Sequence, residues 1–520
     1  MSGKVSITIR PQGLTLKAER GKSLFDVLAK AGIAVNSECG GLGTCGKCKV
    51  RISGHAPVPS SLDRLHLSAD ELAEGMRIAC GVVPSGGEIV DCPPSPAGTN
   101  YKLQIEQVLF PVAPWREAER GVVLAVDLGT TNIVGHLVDP ATGRVDASAS
   151  RENGQTVFGA DIMSRLSYAS HNGEKGREIL RRPALSDIER LVEETGSGQR
   201  VTDVVAVMNT AMEVLLLGTD PDLLGRYPCD SGIDGPVHII FPSVNGLLQG
   251  ALLHLPSIIG GFVGSDMVAA LLSLKMFSPE PPYVLLDIGT NAEVAVVTDK
   301  ETVACSTAAG PAFEGMGITC GMRGVAGAID KVFFDKGDFD ISVIDGDTAR
   351  GITGSGLFSL IGGLLRAGAL DAFGVMQAPL FLPGRIRRGE GGNEVILAPG
   401  VTVSENDVQQ FLLAKAAARS AVDTLLNSTG VRPGELTAFY LAGTFAGMIE
   451  PSDLLSAGLV PSDCGDRVRG LGNAAATGAV MMAASKRAFR EACILAGSVR
   501  HLALSGDRAF LDAFQSGVHF

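Results

Sequence analysis

Val-Asp-Leu-Gly-Thr-Thr-Asn occupies residues 126–132, and Leu-Asp-Ile-Gly-Thr-Asn-Ala-Glu occupies residues 286–293. Both pass from an apolar stretch through Asp, an apolar residue, Gly and Thr into a second apolar stretch, and they lie 160 positions apart. Such a strand, turn and strand exposes backbone N–H groups and hydroxyls to an anion, and it places Asp127 and Asp287 to hold Mg²⁺ directly or through water. One copy is ordinary turn chemistry. Two copies are what a duplicated fold produces, its halves facing each other to clamp a nucleotide triphosphate. A third segment, Leu-Ala-Gly-Thr-Phe-Ala-Gly at 441–447, follows a strand-like run and supplies the close-approach glycines of an adenosine pocket.

Around these loops, β-like runs at 122–126, 284–286 and 438–441 alternate with helical stretches such as 406–426, an α/β pattern. Asp161 and Asp266 stand in Gly-Ala-Asp and Gly-Ser-Asp contexts, where they would position an attacking water or bind metal during γ-phosphate cleavage. No histidine set with metalloprotease spacing and no nucleophile with a partnered base is visible.

The chain has 520 residues, enough for three or four domains at about 150 each. Its net charge, 44 − 56 = −12, disfavours nucleic acid or an anionic membrane surface as a partner. No secretory h-region or run of 18 apolar residues is present, so a cytoplasmic protein is expected. In that compartment ten cysteines point to metal binding or buried thiols rather than disulfides.

Half of those cysteines, Cys39, Cys45, Cys48, Cys80 and Cys92, lie in the first 92 residues. Residues 1–92 hold 11 basic against 9 acidic side chains, leaving 33 against 47 for the rest. A near-neutral module thus precedes a strongly acidic one. Between them, Pro93, Pro94, Pro96, Pro111 and Pro114 mark a semi-rigid linker over 93–120. The large unit then runs 121–520, with halves beginning near 121 and 282. In the small unit, Val5, Ile7 and Ile9 alternate with polar residues as a strand, and Ser23 followed by Asp26 starts a helix.

Cys39, Cys45 and Cys48 leave five and then two residues between thiols, and Cys80 follows after 31 intervening residues. This is the plant-type iron–sulfur pattern with one extra residue in the first gap. Glycines at 40, 41, 43 and 46 let the loop wrap a 2Fe-2S cluster and aim N–H groups at its sulfides. A four-cysteine zinc site is the weaker alternative, because two separated C-x2-C knuckles are missing. Cys92 is an alternative fourth ligand to Cys80, with a buried thiol as its simpler reading, and the five later cysteines read as core residues.

Together these features resemble the reductive activators of corrinoid enzymes, in which a 2Fe-2S domain is joined to an ATPase domain. The segments at 153–161, 261–266, 310–315 and 321–324 also look like that family's, in the same order. The resemblance implies an α+β β-grasp ferredoxin-like domain followed by a duplicated α/β domain of the actin, heat-shock chaperone and sugar kinase (ASKHA) class. It implies that Asp127, Gly129, Thr130 and Thr131 form the first phosphate loop, and Asp287, Gly289, Thr290 and Asn291 the second. Gly443 and Thr444 would be the adenosine loop, and Asn132 and Glu293 further nucleotide contacts. Some relatives insert a middle domain ahead of the ATPase, whereas here Asp127 follows Cys92 by 35 positions.

The implied activity is ATP-dependent, one-electron reduction of cob(II)alamin to cob(I)alamin in the corrinoid protein of a methyltransferase system, fed by an upstream electron donor. A homodimer is left open. The rival readings are a small-molecule kinase with a redox-sensing iron–sulfur appendage, and a nucleotide-switched binding module or chaperone.

Overall fold

The structure is a computed structural model and describes residues 4–10, 13–31, 33, 35, 41, 43, 46–92, 111–115, 121–227, 229–335, 338–346, 348–377, 382, 384–389, 391–443 and 446–520. Cys39, Cys45 and Thr444 lie outside the described residues.

The alternation over residues 4–10 becomes strand Lys4–Arg10, with Ile7 and Ile9 in the core. This strand joins a five-stranded sheet ordered Leu14–Glu19, Lys4–Arg10, Glu88–Asp91, Lys49–Gly54, Met76–Ile78. The first pair is antiparallel and the second parallel. Helix Leu24–Lys30 starts where Ser23 accepts a hydrogen bond from the N–H of Asp26. Its Leu24, Phe25 and Leu28 join Ile7 and Ile9 in one apolar cluster. This is the β-grasp arrangement expected of the first module.

Two six-stranded sheets follow, and they repeat one another. The first is ordered Val237–Ile240, Leu252–Leu255, Val201–Val207, Val122–Leu128, Asn132–Val138, Val145–Glu152. The second is ordered Val468–Gly472, Ala438–Ala442, Tyr283–Ile288, Asn291–Val297, Thr302–Ala308, Val499–His501. Each is built on an antiparallel meander of three strands, and a parallel strand beside the first of them (Val201–Val207 or Ala438–Ala442) extends it. The duplicated loops are the tight turns of the two meanders. Burial on both faces explains why Val122–Leu128 and Tyr283–Ile288 read as continuous apolar runs.

Helices Ser265–Leu274 and Ala474–Ala484 follow the parallel strands Leu252–Leu255 and Val468–Gly472 and pack against one another. Their apolar faces join clusters containing Val123 and Ala125 of the first sheet and Leu285 and Ala295 of the second. The contact is close because Gly478 has no side chain: a Cβ there would sit 2.1 Å from the carbonyl oxygen of Ala269. The small-residue run 472–478 therefore serves helix packing between the halves. Among the described residues no helix is long and apolar enough to cross a membrane.

Residues 111–115 of the expected linker lie against the second unit. Ala113 exchanges backbone hydrogen bonds with Ala484 and Lys486. Trp115 donates its indole N–H to the carbonyl of Met482 at 3.0 Å and stacks on His254 with ring centroids 4.1 Å apart. His254 in turn contacts His238 at 2.8 Å and the Asp203 carboxylate at 3.0 Å. Two histidines that look dispersed along the chain thus form the seat of the tryptophan.

Replacing Gly478 by Ala forces the helix pair apart and is expected to destabilise the protein by about 1–3 kcal/mol. Thermal melting checks this, and a wild-type midpoint for Gly478→Ala would contradict the contact.

Candidate functional site

In the first module the strand register sets two cysteines side by side. Lys49 pairs with Ile78, so Cys48, just before one strand, meets Cys80, in the 3-10 turn Ala79–Gly81 just after the other. The N–H of Ala79 donates to the carbonyl of Cys48 at 2.8 Å, fixing the approach. The two sulfurs are 3.5 Å apart. A disulfide would need about 2.05 Å. Two thiolates on one tetrahedral metal at about 2.3 Å lie roughly 3.8 Å apart. The pair therefore fits joint ligation of one iron of a 2Fe-2S cluster. Cys92 packs in the module's apolar core, and burial, aided by the charge of Asp91, pushes its thiol up to about 11. A thiol held protonated in this way is a poor ligand.

In the second unit the two repeated turns face each other across a cavity of about 720 Å³, counting the space that opens to solvent. Asp127, Gly129, Thr130, Thr131 and Asn132 line it from one side; Asp287, Gly289, Thr290, Asn291 and Glu293 line it from the other. Gly443 completes the wall, where a Cβ would lie 2.4 Å from the carbonyl oxygen of Ile288. The local bonding repeats as well: the N–H of Asn153 donates to Thr131 O, and the N–H of Gly310 to Thr290 O, each at 2.9 Å.

Behind the first loop, buried Arg165 donates to Thr130 O at 2.6 Å and to Gly159 O at 2.9 Å. Asn209 holds the Thr130 hydroxyl at 3.1 Å and Asn153 donates to Gly129 O at 2.9 Å. Asn473, the N-cap of helix Ala474–Ala484, donates to Asp127 Oδ2 at 2.7 Å. Across the cleft, Glu314 Oε2 accepts from Thr290 Oγ1 at 2.7 Å and from Thr131 Oγ1 at 3.1 Å. A second cavity of about 540 Å³ adjoins the first, sharing Thr131, Asn132 and Glu314.

The cavity gathers negative charge. Burial, opposed by the Asn473 hydrogen bond, pushes Asp127 up to about 6. Burial and the Asp127 charge push Asp266 up to about 7. Burial and the charges of Asp266 and Asp127 push Asp287 up to about 8. Glu293 lies directly opposite Asp287 on the neighbouring strand, and burial with those like charges holds its carboxyl well above the usual range. The matching position opposite Asp127 is Val134, so this doubled charge belongs to the second loop alone. Among the described residues no three such side chains converge tightly enough to hold a metal ion by themselves. The set suits a cation that keeps several waters and takes further ligands from phosphate, which is the habit of Mg²⁺.

Of the expected site residues, Asp266 reaches the cavity while also accepting from the N–H of Met267 at 2.8 Å. Asp161 does not line it. Its carboxylate caps helix Ile162–Glu194, accepting from Ser164 N at 2.9 Å and Ser164 Oγ at 2.8 Å. That bonding places Asp161 at the start of this helix rather than on the cavity wall. Glu314, Arg165, Asn209 and Asn473 were not read as site residues. Asn209 and Asn473 carry a sequence signal, Asn just ahead of a helical run, but a cap gives no hint of what its amide will touch.

The raised carboxyls dictate a pH dependence. The folded chain retains protons that the unfolded chain releases near pH 4, so this cluster's stabilisation is lost as pH rises from about 4 toward about 8. In nucleotide-free, Mg²⁺-free protein, Asp287→Asn is therefore expected to raise the melting temperature relative to wild type more at about pH 8 than at about pH 5.5. The same offset at both pH values would contradict the clustering.

Comparison with known proteins agrees along the chain. Residues 7–85 match the 2Fe-2S iron–sulfur cluster binding domain, 122–278 the RACo middle region, and 282–520 the C-terminal ASKHA domain of RACo. The middle region begins at residue 122 and so takes in Asp127, being the first half of the duplicated unit rather than an insertion ahead of it. The corrinoid activation enzyme RamQ of Eubacterium limosum is 28% identical across 95% of each chain. The [Co(II) methylated amine-specific corrinoid protein] reductase of Methanosarcina barkeri is 24% identical across 65% of each. A solved structure of a reductive activator for corrinoid,iron-sulfur protein superposes with a TM-score of 0.69 at 26% identity, covering 99% of this chain and 98% of that one. With its amino-terminal 2Fe-2S domain, the paired phosphate-loop geometry behind it and these matches from residue 7 to 520, the chain belongs to the RACo family of reductive activators.

Proposed function

We propose that this protein performs ATP-dependent reductive activation of a corrinoid protein, returning Co(II) of its bound cobalamin to the methyl-accepting Co(I) state with one electron. The observation that carries the reading is the presence, on one chain, of a cysteine pair at metal-ligating separation and a two-sided phosphate cavity. The relatives named for corrinoid activation and reduction support it along the length of the chain.

In this reading Cys39, Cys45, Cys48 and Cys80 hold the cluster, within a module spanning 1–92. A bound 2Fe-2S cluster supplies a one-electron relay. Thr130, Thr131, Thr290 and the turn N–H groups receive the nucleotide phosphates, Gly443 and Thr444 the adenosine. Asp127, Asp266 and Asp287 would hold Mg²⁺ directly or through water, and its charge would relieve their mutual repulsion. The electron comes from an upstream low-potential donor. For a one-electron step about every 59 mV is a factor of ten in equilibrium constant, so an unfavourable transfer needs coupling to an exergonic one. Hydrolysis of ATP to ADP and phosphate is that partner reaction. Binding and release of nucleotide between the two halves alters their closure, and the docked complex with it.

The second cavity beside Glu314 is also where a kinase would seat an acceptor. ATP consumption that depends on a small metabolite, with no corrinoid protein present, would favour that reading.

Two measurements test the proposal. Cys80→Ser is expected to abolish the visible iron–sulfur spectrum and Cys92→Ser to leave it intact; the reverse would exchange the ligands. With a low-potential reductant, Mg²⁺, ATP and a cob(II)alamin-bearing corrinoid protein, cob(I) absorption is expected to build up only while ATP is present. Equal accumulation without ATP would overturn the coupling.

A further inference from the structure

Glu314 closes the short segment Pro311–Glu314, which follows strand Thr302–Ala308 and is tied to the second loop by the Gly310 to Thr290 backbone bond. One of its oxygens takes both threonine hydroxyls that the two halves turn toward each other, Thr131 Oγ1 and Thr290 Oγ1, themselves 3.5 Å apart. Of the acidic residues lining the two cavities, Glu314 alone lines both. Asp127, Asp266, Asp287 and Glu293 line the first cavity alone, Asp330 lines the second alone, and Asp161, bound up in a helix cap, lines neither.

These contacts place a carboxylate where a terminal phosphate would compete for the same donors. When the hydroxyls turn to phosphate oxygens, half-buried Glu314 loses two hydrogen bonds. A carboxylate stripped of donors is costly, and a water molecule entering the cavity can replace them. Water standing between this carboxylate and the terminal phosphorus, fed from the second cavity, is in the position that hydrolysis requires. Burial holds the Glu314 carboxyl above its ordinary value, opposed by the Thr290 and Thr131 hydroxyls and by the charges of Arg323 and Arg165. Arg323 itself bridges to Glu152 of the first half at 2.8 Å.

We propose that Glu314 is the general base of ATP hydrolysis, accepting the proton of the attacking water after its two threonine hydroxyls pass to the terminal phosphate. The water oxygen forms a bond to the terminal phosphorus as the bond from phosphorus to the bridging oxygen breaks. The electron pair of the broken bond stays on ADP. The proton goes to the Glu314 carboxylate and is then returned to phosphate or solvent. The inference rests on the nucleotide reading above and adds the residue that performs the chemical step.

The experiment uses the full chain and measures two quantities, phosphate release from Mg-ATP and the affinity for the non-hydrolysable β,γ-imido analogue of ATP. Glu314→Gln keeps shape and hydrogen bonding but cannot take a proton. It is expected to slow phosphate release at least about 100-fold, the scale of a lost general base, with analogue affinity within about fivefold of wild type. Should that variant fold poorly, Glu314→Asp withdraws the carboxylate by one methylene and is expected to slow release at least about tenfold with the analogue still bound. Phosphate release within about threefold of wild type in a folded variant of either kind would overturn the proposal. A wild-type protein that does not bind the analogue would instead remove the nucleotide reading, and the proposal with it.

Discussion

Mutual repulsion among Asp127, Asp266, Asp287 and Glu293 is the constraint around which the second unit is built. Glu293 is buried and the three aspartates are half-buried, and each of Asp266, Asp287 and Glu293 is pushed further up by the charge of another. A fold does not hold like charges together in a poorly hydrated space unless something opposes them. Here the opposing elements are the Asn473 amide on Asp127, the N–H of Met267 on Asp266 and, in the proposed reading, a hydrated cation with its polyphosphate. The sheets, the turns and the helix pair place these groups around one cavity.

The same helix that begins at the site also ends at the tether. Asn473 caps Ala474–Ala484 and touches Asp127, while the carbonyls of Met482 and Ala484 near the other end receive Trp115 and Ala113. Ser265–Leu274, which brings Asp266 to the cavity, packs along it through the Gly478 contact. Close-packed helices move as rigid pieces rather than deforming. In the proposed reading this helix is the link between the nucleotide end and the segment that leads back toward the amino-terminal module.

The repeat was readable because Asp-x-Gly-Thr needs local features only: an apolar strand, a tight turn, and a second strand with its own alternation. The cysteine spacing was readable for the same reason. Glu314 was not, since its role comes from Thr131, 183 positions away, and Thr290, 24 positions away. Asp161 sits away from the cavity because Asp after Gly-Ala serves as a helix cap, which the sequence context alone does not separate from a site carboxylate. The seat of Trp115 was hidden too, for it draws on Asp203, His254 and Met482 from separate elements.

The central claim is that two duplicated halves share one nucleotide, each contributing its own aspartate loop. Equilibrium dialysis of labelled ATP with Mg²⁺ against the wild type, Asp127→Asn and Asp287→Asn measures this directly. The account predicts one nucleotide per chain, with affinity weakened by either substitution. Two nucleotides per chain, or binding that ignores one of the two aspartates, would contradict it.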